Sequence, residues 1–422
     1  MYTEESKPVR VVWALVLGLG VLLSNAEAAV YSGGTGTEKD PYQLGSAADW
    51  MTLYGTTEDW DKHFVLTGDI DFVDASLTPI GTSETQFVGT LDGKGHVVRN
   101  GQINLPESDN VGLFGYLGAG GEIQNLGVEA VDITGKSSVG GMAGTNSGTI
   151  LSCYTTGAVT AVGDGDIVGG LAGQNFGTIT YAYATGQITG DYYVGGLVGE
   201  MWVGEVSFCH ASCQVSGNAY VGGLVAEVLN ATVSSCHAAG QVAGNAYVGG
   251  MTGYNEGTIL DCYSRAAITC GGGFCMYIGG LVGRTWLGSA VSSYWDTNVS
   301  GQSVSDGGEG RTTLEMTWPY AENTYVDWDF ATVWAADEDG SLNEGYPYLR
   351  EKASSQPHPA DLDTDYRIVL GEAIAYLAGW QQGSNPIGYA IRAAYLWQNG
   401  EHYGYDGNLD PPMCWLLVPP AR

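Results

Sequence analysis

Apolar residues in this chain return in blocks at a long, steady interval. Val-Gly-Gly-Met occupies 139–142, Val-Gly-Gly-Leu occupies 168–171, 194–197 and 221–224, Val-Gly-Gly-Met returns at 248–251 and Ile-Gly-Gly-Leu at 278–281. Successive blocks lie 26 to 30 residues apart, and Val111-Gly112-Leu113-Phe114 opens the series one interval earlier. At least seven repeats therefore run from about residue 110 to residue 294. Each Gly-Gly pair leads to a polar segment such as Gly144-Thr145-Asn146-Ser147-Gly148 or Gly173-Gln174-Asn175-Phe176-Gly177. Asn and Gly tolerate positive φ, so these segments are expected to be tight reversals. Short strands should follow, near 150–154 and 157–160 in the second repeat.

A unit of about 27 residues with three short strands cannot bury its own apolar face, whereas stacked units can. The expected fold is all-β: a right-handed parallel β-helix or related β-solenoid, each coil adding roughly 4.8 Å along the axis. Equivalent positions of successive coils should then form ladders. Residues 29–110 read as lead-in and capping coils, 111–294 as the repeats, 295–350 as a closing segment and 351–360 as a Ser/Pro/charge linker. A small α-helical module follows over 361–422.

Composition agrees with a turn-rich repeat. The 422 residues include 66 Gly, and only 14% are charged. The formal net charge is −31, and no Lys or Arg occurs between Ser137 and Ser264. Such a chain repels phosphate backbones and anionic lipid, which excludes nucleic acid as a partner. At the N-terminus Lys7 and Arg10 precede an apolar run from Val11 to Leu23, and small residues lead to Ala28. This is the pattern of a secretory signal peptide over 1–28. Thirteen apolar residues are too few for a membrane span, so a secreted or cell-surface protein with no membrane span after cleavage is expected.

The residues also resemble a known family. Gly-Gly-Leu-Val-Gly and Gly-Gly-Leu-Ala-Gly, followed by Asn-x-Gly-Thr-Ile and Cys-Tyr, are similar to the GLUG-motif repeats of secreted and surface bacterial proteins. The likeness extends to a lead-in at 36–42, 64–71 and 87–96, and to a close at Tyr294-Trp295-Asp296, Met316, Trp328-Asp329-Phe330 and Tyr346-Pro347-Tyr348-Leu349. The resemblance implies an adhesive or surface-associated role, in some members as a non-catalytic part of a larger protein. Three repeats, at 200–204, 226–230 and 284–288, lack the Asn-x-Gly turn. Trp202 and Trp286 fall in these irregular turns and are expected to be exposed.

Tyr193, Tyr220, Tyr247 and Tyr277 each lie just before the Gly-Gly pair, so they should stack as an aromatic column. Such a column either stabilises the interface between coils or offers a platform to sugar rings. Together with Trp202 and Trp286 these tyrosines are the candidate ligand-binding residues. Cys153, Cys209, Cys236 and Cys262 recur before Tyr or His and are expected to line the interior as small apolar residues. Cys270 with Cys275, and Cys209 with Cys213, are spaced for short-loop disulfides.

Past the linker, Asp361, Asp363, Asp365 and Glu372 stand at the first, third, fifth and twelfth positions of a loop, with the Arg367 carbonyl at the seventh. That is the ligand spacing of an EF-hand calcium site, although Tyr366 replaces the usual Gly. The segment Leu370–Gly383 is echoed over Ile387–Gly400, a duplication that resembles a dockerin-like module and implies docking to a scaffold protein. The alternative is an acidic helix N-terminus.

Catalysis has one candidate pair. Glu200 and Glu227 occupy the same phase of neighbouring coils, about 5 Å apart at the strand spacing. The sequence thus points to a non-catalytic binding or structural module with a polysaccharide or surface glycan as possible partner. The alternative is a carbohydrate-active enzyme or accessory subunit delivered by a dockerin-like domain.

Overall fold

Each coil is built from four short segments whose side chains alternate between a dry interior and the surface. The third full coil shows the plan, with strands Val168–Gly169, Ala172–Asn175, Thr178–Thr180 and Tyr183–Thr189. The computed structural model describes residues 31–350 apart from 74, 164, 165, 273 and 274, together with 376, 403–405 and 415–417. The predicted leader over 1–28 and the loop of Asp361, Asp363, Asp365, Arg367 and Glu372 lie outside the described residues.

Among the described residues the coils stack in register into three parallel sheets of ten, seven and sixteen strands. The chain is the expected β-solenoid, of about 8 turns. The sixteen-stranded sheet covers two faces, because the long strand Gly127–Gly140 pairs at one end with Tyr154–Ala161 and at the other with Val168–Gly169. In later coils that long strand is divided into two. Inside, Leu171, Leu197, Leu224, Met251 and Leu281 form one buried ladder, and Ile150, Ile179, Val206, Val233 and Ile259 form another. The Gly-Gly pair permits this compaction. A Cβ on Gly195 would collide with the Val198 carbonyl, and one on Gly196 with the Gly223 carbonyl of the next coil.

Cys153, Cys209, Cys236 and Cys262 form the interior column, with Ala182 at the equivalent place in one coil, and all are buried. Cys270 and Cys275 form a disulfide. Cys209 and Cys213 remain separate buried thiols. Cys209 belongs to the column, and Cys213 lies beside the Ala184 and Gly196 carbonyls.

The turns differ from the sequence expectation. None of Asn146, Asn175 and Asn255 adopts positive φ. Each is fully buried, and its side chain does the turning. Asn146 Oδ1 accepts from the Gly148 N–H at 3.1 Å and Asn255 Oδ1 from the Gly257 N–H at 3.0 Å, while Asn146 Nδ2 donates to Asn175 Oδ1 at 2.7 Å. A buried amide that pairs with the backbone two residues on closes the corner without strain. In the irregular repeats Met201 and Val228 take the same register position, so apolar packing replaces the amide there. Left-handed φ occurs at other corners, including Ser152, Tyr181, Phe208 and Ser235, and at all four column tyrosines.

The two ends of the rod are covered. At the N-terminal end the helix Ala47–Gly55 buries Trp50 and Leu53, and its N-cap Ser46 accepts from the Asp49 N–H. At the other end, residues 297–350 pack an aromatic cluster of Tyr325, Trp328, Trp334 and Tyr346 onto Tyr263 and Tyr294 of the last coils. Hydrogen bonds fasten it: Tyr263 Oη donates to the Pro347 carbonyl at 2.8 Å, Tyr346 Oη to Asp296 at 2.5 Å and Trp328 Nε1 to the Ser292 carbonyl at 2.8 Å. Among the described residues no helix is long and apolar enough to cross a membrane.

The asparagine ladder yields a stability prediction. Asn175→Ala removes the acceptor of Asn146 and the donor to the Gly177 carbonyl, leaving buried polar groups unpaired at a cost of about 1–3 kcal/mol. The urea midpoint should fall accordingly, with the far-ultraviolet circular dichroism of the folded state unchanged.

Candidate functional site

Three surfaces of the rod carry side chains with chemistry to offer. The first is the predicted tyrosine column. Tyr193, Tyr220, Tyr247 and Tyr277 stack with ring centroids 4.8, 4.6 and 4.9 Å apart. Their faces lie against one another. Tyr254 lies nearly perpendicular to Tyr220 and Tyr247, with its centroid 5.9 Å from each, and the Arg284 guanidinium lies 5.2 Å over the Tyr277 ring. What this column turns outward is ring edge. The geometry is that of a stabilising stack, in which attraction between rings offsets the left-handed φ of 39° to 55° at each tyrosine.

Beside the column runs the register row Gln174, Glu200, Glu227, Tyr254 and Arg284. Both glutamates are buried. Gln174 Nε2 donates to Glu200 at 2.8 Å, and the two carboxyls are in hydrogen-bond contact. Burial, reinforced by the Glu200 charge, pushes Glu227 up to about 8, so the pair holds a proton at neutral pH. Burial and the nearby Glu227 raise Tyr193 to about 12.

The second surface is the ridge of turns that follow the asparagine position. Phe176, Trp202, Leu229, Glu256 and Trp286 are equivalent, since the N–H of each donates to a carbonyl one coil below. Trp202 is 46% exposed and Trp286 54%. Neither ring is stacked on another among the described residues. The two tryptophans stand three coils apart, about 14 Å at the strand spacing, with their faces available.

The third surface was not predicted. On the face formed by Tyr154–Ala161, Tyr183–Thr189, His210–Ser216 and His237–Gly244, the first outward residue of each strand stacks on the next. Tyr154 and Tyr183 are 4.8 Å apart, Tyr183 and His210 4.9 Å, His210 and His237 4.8 Å, and His237 and Tyr263 5.0 Å. A parallel stack of Tyr181 on Phe208 flanks it at 4.8 Å. The end of the closing segment lies against this face, and the open groove between them has a volume of about 650 Å³. Arg265 and Arg350 are among its lining residues. Arg265 donates to Asn343 and to Glu344, each at 2.9 Å, and Arg350 to the Trp334 and Phe330 carbonyls at 3.0 Å. Burial and the Arg265 charge push His210 down to about 4. Burial, with His210 and Arg265 nearby, holds His237 well below the usual imidazole range. Both rings are neutral near pH 7.

The sequence carried half of the signal for this groove. The alternation of Cys or Ala with Tyr or His recurs at every coil, which places the rings in one outward column. The cover came from residues about 80 positions further along the chain, to which no periodicity points.

Comparison with known proteins places the repeat region. Residues 165–189, one coil of the rod, match the family described as the GLUG motif. A stretch of 150 residues is 36% identical to halomucin of Haloquadratum walsbyi, covering 32% of this chain and 2% of that protein. A stretch of 149 residues is 30% identical to a Gly-rich membrane protein of Evansella cellulosilytica, covering 33% of this chain and 17% of that one. The chain thus spans a small part of the length of either relative. Among solved structures, one of a Bacteroides ovatus protein assigned as an immunoglobulin A1 protease aligns with a TM-score of 0.49 at 18% identity, over 76% of this chain and 96% of that one. An IgA1 protease aligns with a TM-score of 0.44 at 17% identity, over 59% and 21%. The chain is a β-solenoid, and one of its coils matches the GLUG motif.

Proposed function

We propose that this chain is a secreted or cell-surface, non-catalytic β-solenoid that acts as an adhesive or structural binding module, anchored by a calcium-associated segment at 361–422. The observation that carries the reading is the turn ridge, where Trp202 and Trp286 are half-exposed with unstacked faces. Sugar rings pack their apolar faces on such side chains, and a rigid rod holds the two at a fixed spacing. The names of the relatives, a halomucin and a membrane protein, favour the same setting. Asp361, Asp363, Asp365, the Arg367 carbonyl and Glu372 are the residues that would hold calcium, with a scaffold protein as the partner of that segment.

A second reading, catalysis on polysaccharide, is favoured by one observation: Glu227 keeps its proton at neutral pH, as a general acid must. Against it, glycosidic hydrolysis places its two carboxyls roughly 5 to 9.5 Å apart to admit a bond or a water. Glu200 and Glu227 touch, and both are buried.

Three measurements test these readings. Affinity electrophoresis of the full chain through gels containing plant, algal and host polysaccharides should show retardation by at least one, without new reducing or unsaturated ends. Trp202→Ala and Trp286→Ala should each weaken that retardation severalfold, whereas new chain ends abolished by Glu227→Gln would establish the enzyme. Isothermal titration with calcium should show saturable binding that is lost in Asp363→Ala, and a flat titration would remove the calcium site. The glutamate pair also predicts a pH dependence. Glu227 titrates at about 8 in the folded chain against an ordinary 4.5. Across that window the folded state holds a proton the unfolded chain has released, so stability falls as pH rises from 4.5 to 8. Glu227→Gln should flatten this profile and raise Tm at pH 8, as read by thermal melts at several pH values.

A further inference from the structure

The groove beneath the closing segment is separate from the tryptophan ridge, and its chemistry is more specific. Its volume of about 650 Å³ lies in the range of small-molecule sites. Its floor consists of central strands paired on both sides, from Tyr154–Ala161 to His237–Gly244. There is no free sheet edge here to which an extended peptide could add. Recognition must come from side chains.

Those side chains favour an oxygen-rich anion. In both aromatic stacks the ring faces are occupied by neighbouring rings, so the groove is lined by ring edges, which carry the positive end of the aromatic quadrupole. The side chains of Arg265 and Arg350 also line the groove. Arg265 is the first basic residue after Lys136 in a chain of net charge −31. Its one acidic partner, Glu344, sits on the rim with a side chain 76% exposed, where water screens it. His237, whose residue is 8% exposed, keeps Nδ1 buried without a hydrogen-bond partner, and Arg265 Nε is likewise buried and unpaired. Unpaired buried groups of this kind are uncommon in folded proteins and call for a ligand or water. Neutral imidazoles, together with the hydroxyls of Tyr183 and Ser212, both donate and accept, which matches the hydroxyls of a sugar ring.

We propose that this groove binds a short acidic oligosaccharide, with a uronate carboxylate against Arg265 and Arg350 and the neighbouring ring hydroxyls against His237, His210 and Tyr183. The arrangement is a short electropositive patch on a strongly acidic rod, which admits a short acidic oligosaccharide and repels a long anionic chain.

Isothermal titration of the full chain with a trigalacturonate, a glucuronate-terminated trisaccharide and a neutral trisaccharide of equal length tests this directly. At least one acidic trimer should bind, at least about tenfold more tightly than the neutral one, the difference a charge-assisted contact supplies. Added salt should weaken that binding. Arg265→Gln should cost about tenfold. Ser212 is exposed on the groove wall, so Ser212→Trp should block the groove while leaving the core and Tm unchanged, a control that does not depend on an arginine holding the closing segment. Trp202→Ala and Trp286→Ala should leave trimer binding intact, which separates this site from the ridge. The proposal is overturned if neither acidic trimer binds, if the neutral trimer binds as well as the acidic ones, or if Ser212→Trp has no effect. Displacement of a bound trimer by a short peptide at equal concentration would also overturn it and mark a peptide site.

Discussion

Every side chain in the repeats sits about one strand spacing from its counterpart in the next coil, and most of the molecule follows from that. In-register parallel stacking repeats each choice of residue along the rod. An aromatic ring meets another ring at 4.6 to 5.0 Å, a carboxyl meets a carboxyl, and a glycine meets a carbonyl that would not tolerate a Cβ. Attractive repeats therefore add up along the ladder and unfavourable ones must be neutralised within it. The buried aliphatic and cysteine columns are the attractive case. Glu200 and Glu227 are the unfavourable one, and the fold neutralises them by retaining a proton and recruiting Gln174.

The same constraint decides what the aromatic columns can do. Stacking consumes ring faces, so a tyrosine ladder that looks in sequence like a platform for sugars is in three dimensions a column of edges. At the irregular turns Trp202 and Trp286 are half-exposed, and neither is stacked on another ring among the described residues. The irregular repeats, which lose the buried asparagine, are thus the places where the rod has side chains free to engage a partner.

The closing segment converts a uniform face into a particular one. Along most of its length the rod is translationally repetitive, which suits a spacer or a surface with many weak contacts. Where residues 297–350 fold back, the repetition ends. Tyr263 gives its hydroxyl to Pro347, Arg265 is drawn to Asn343 and Glu344, and Arg265 and Arg350 line one groove.

The sequence by itself determined the solenoid. The interval between Val-Gly-Gly blocks, the cysteine column and the tyrosine column are one-dimensional periodicities, and stacking translates them directly into ladders. It also placed Trp202 and Trp286 on irregular turns and offered two short-loop disulfides, of which Cys270 with Cys275 forms and Cys209 with Cys213 does not. It misjudged the mechanism of the Asn-x-Gly corner, because a buried amide and a left-handed backbone are alternatives that one residue type supports equally. What tertiary structure alone decided is which ring faces are free, that Glu227 is buried beside Glu200 and keeps its proton, and that a groove exists at all. Each of these depends on distances between residues in different coils, or between a coil and a segment about 80 positions away. No local preference specifies such distances, and they are fixed only when the chain is packed.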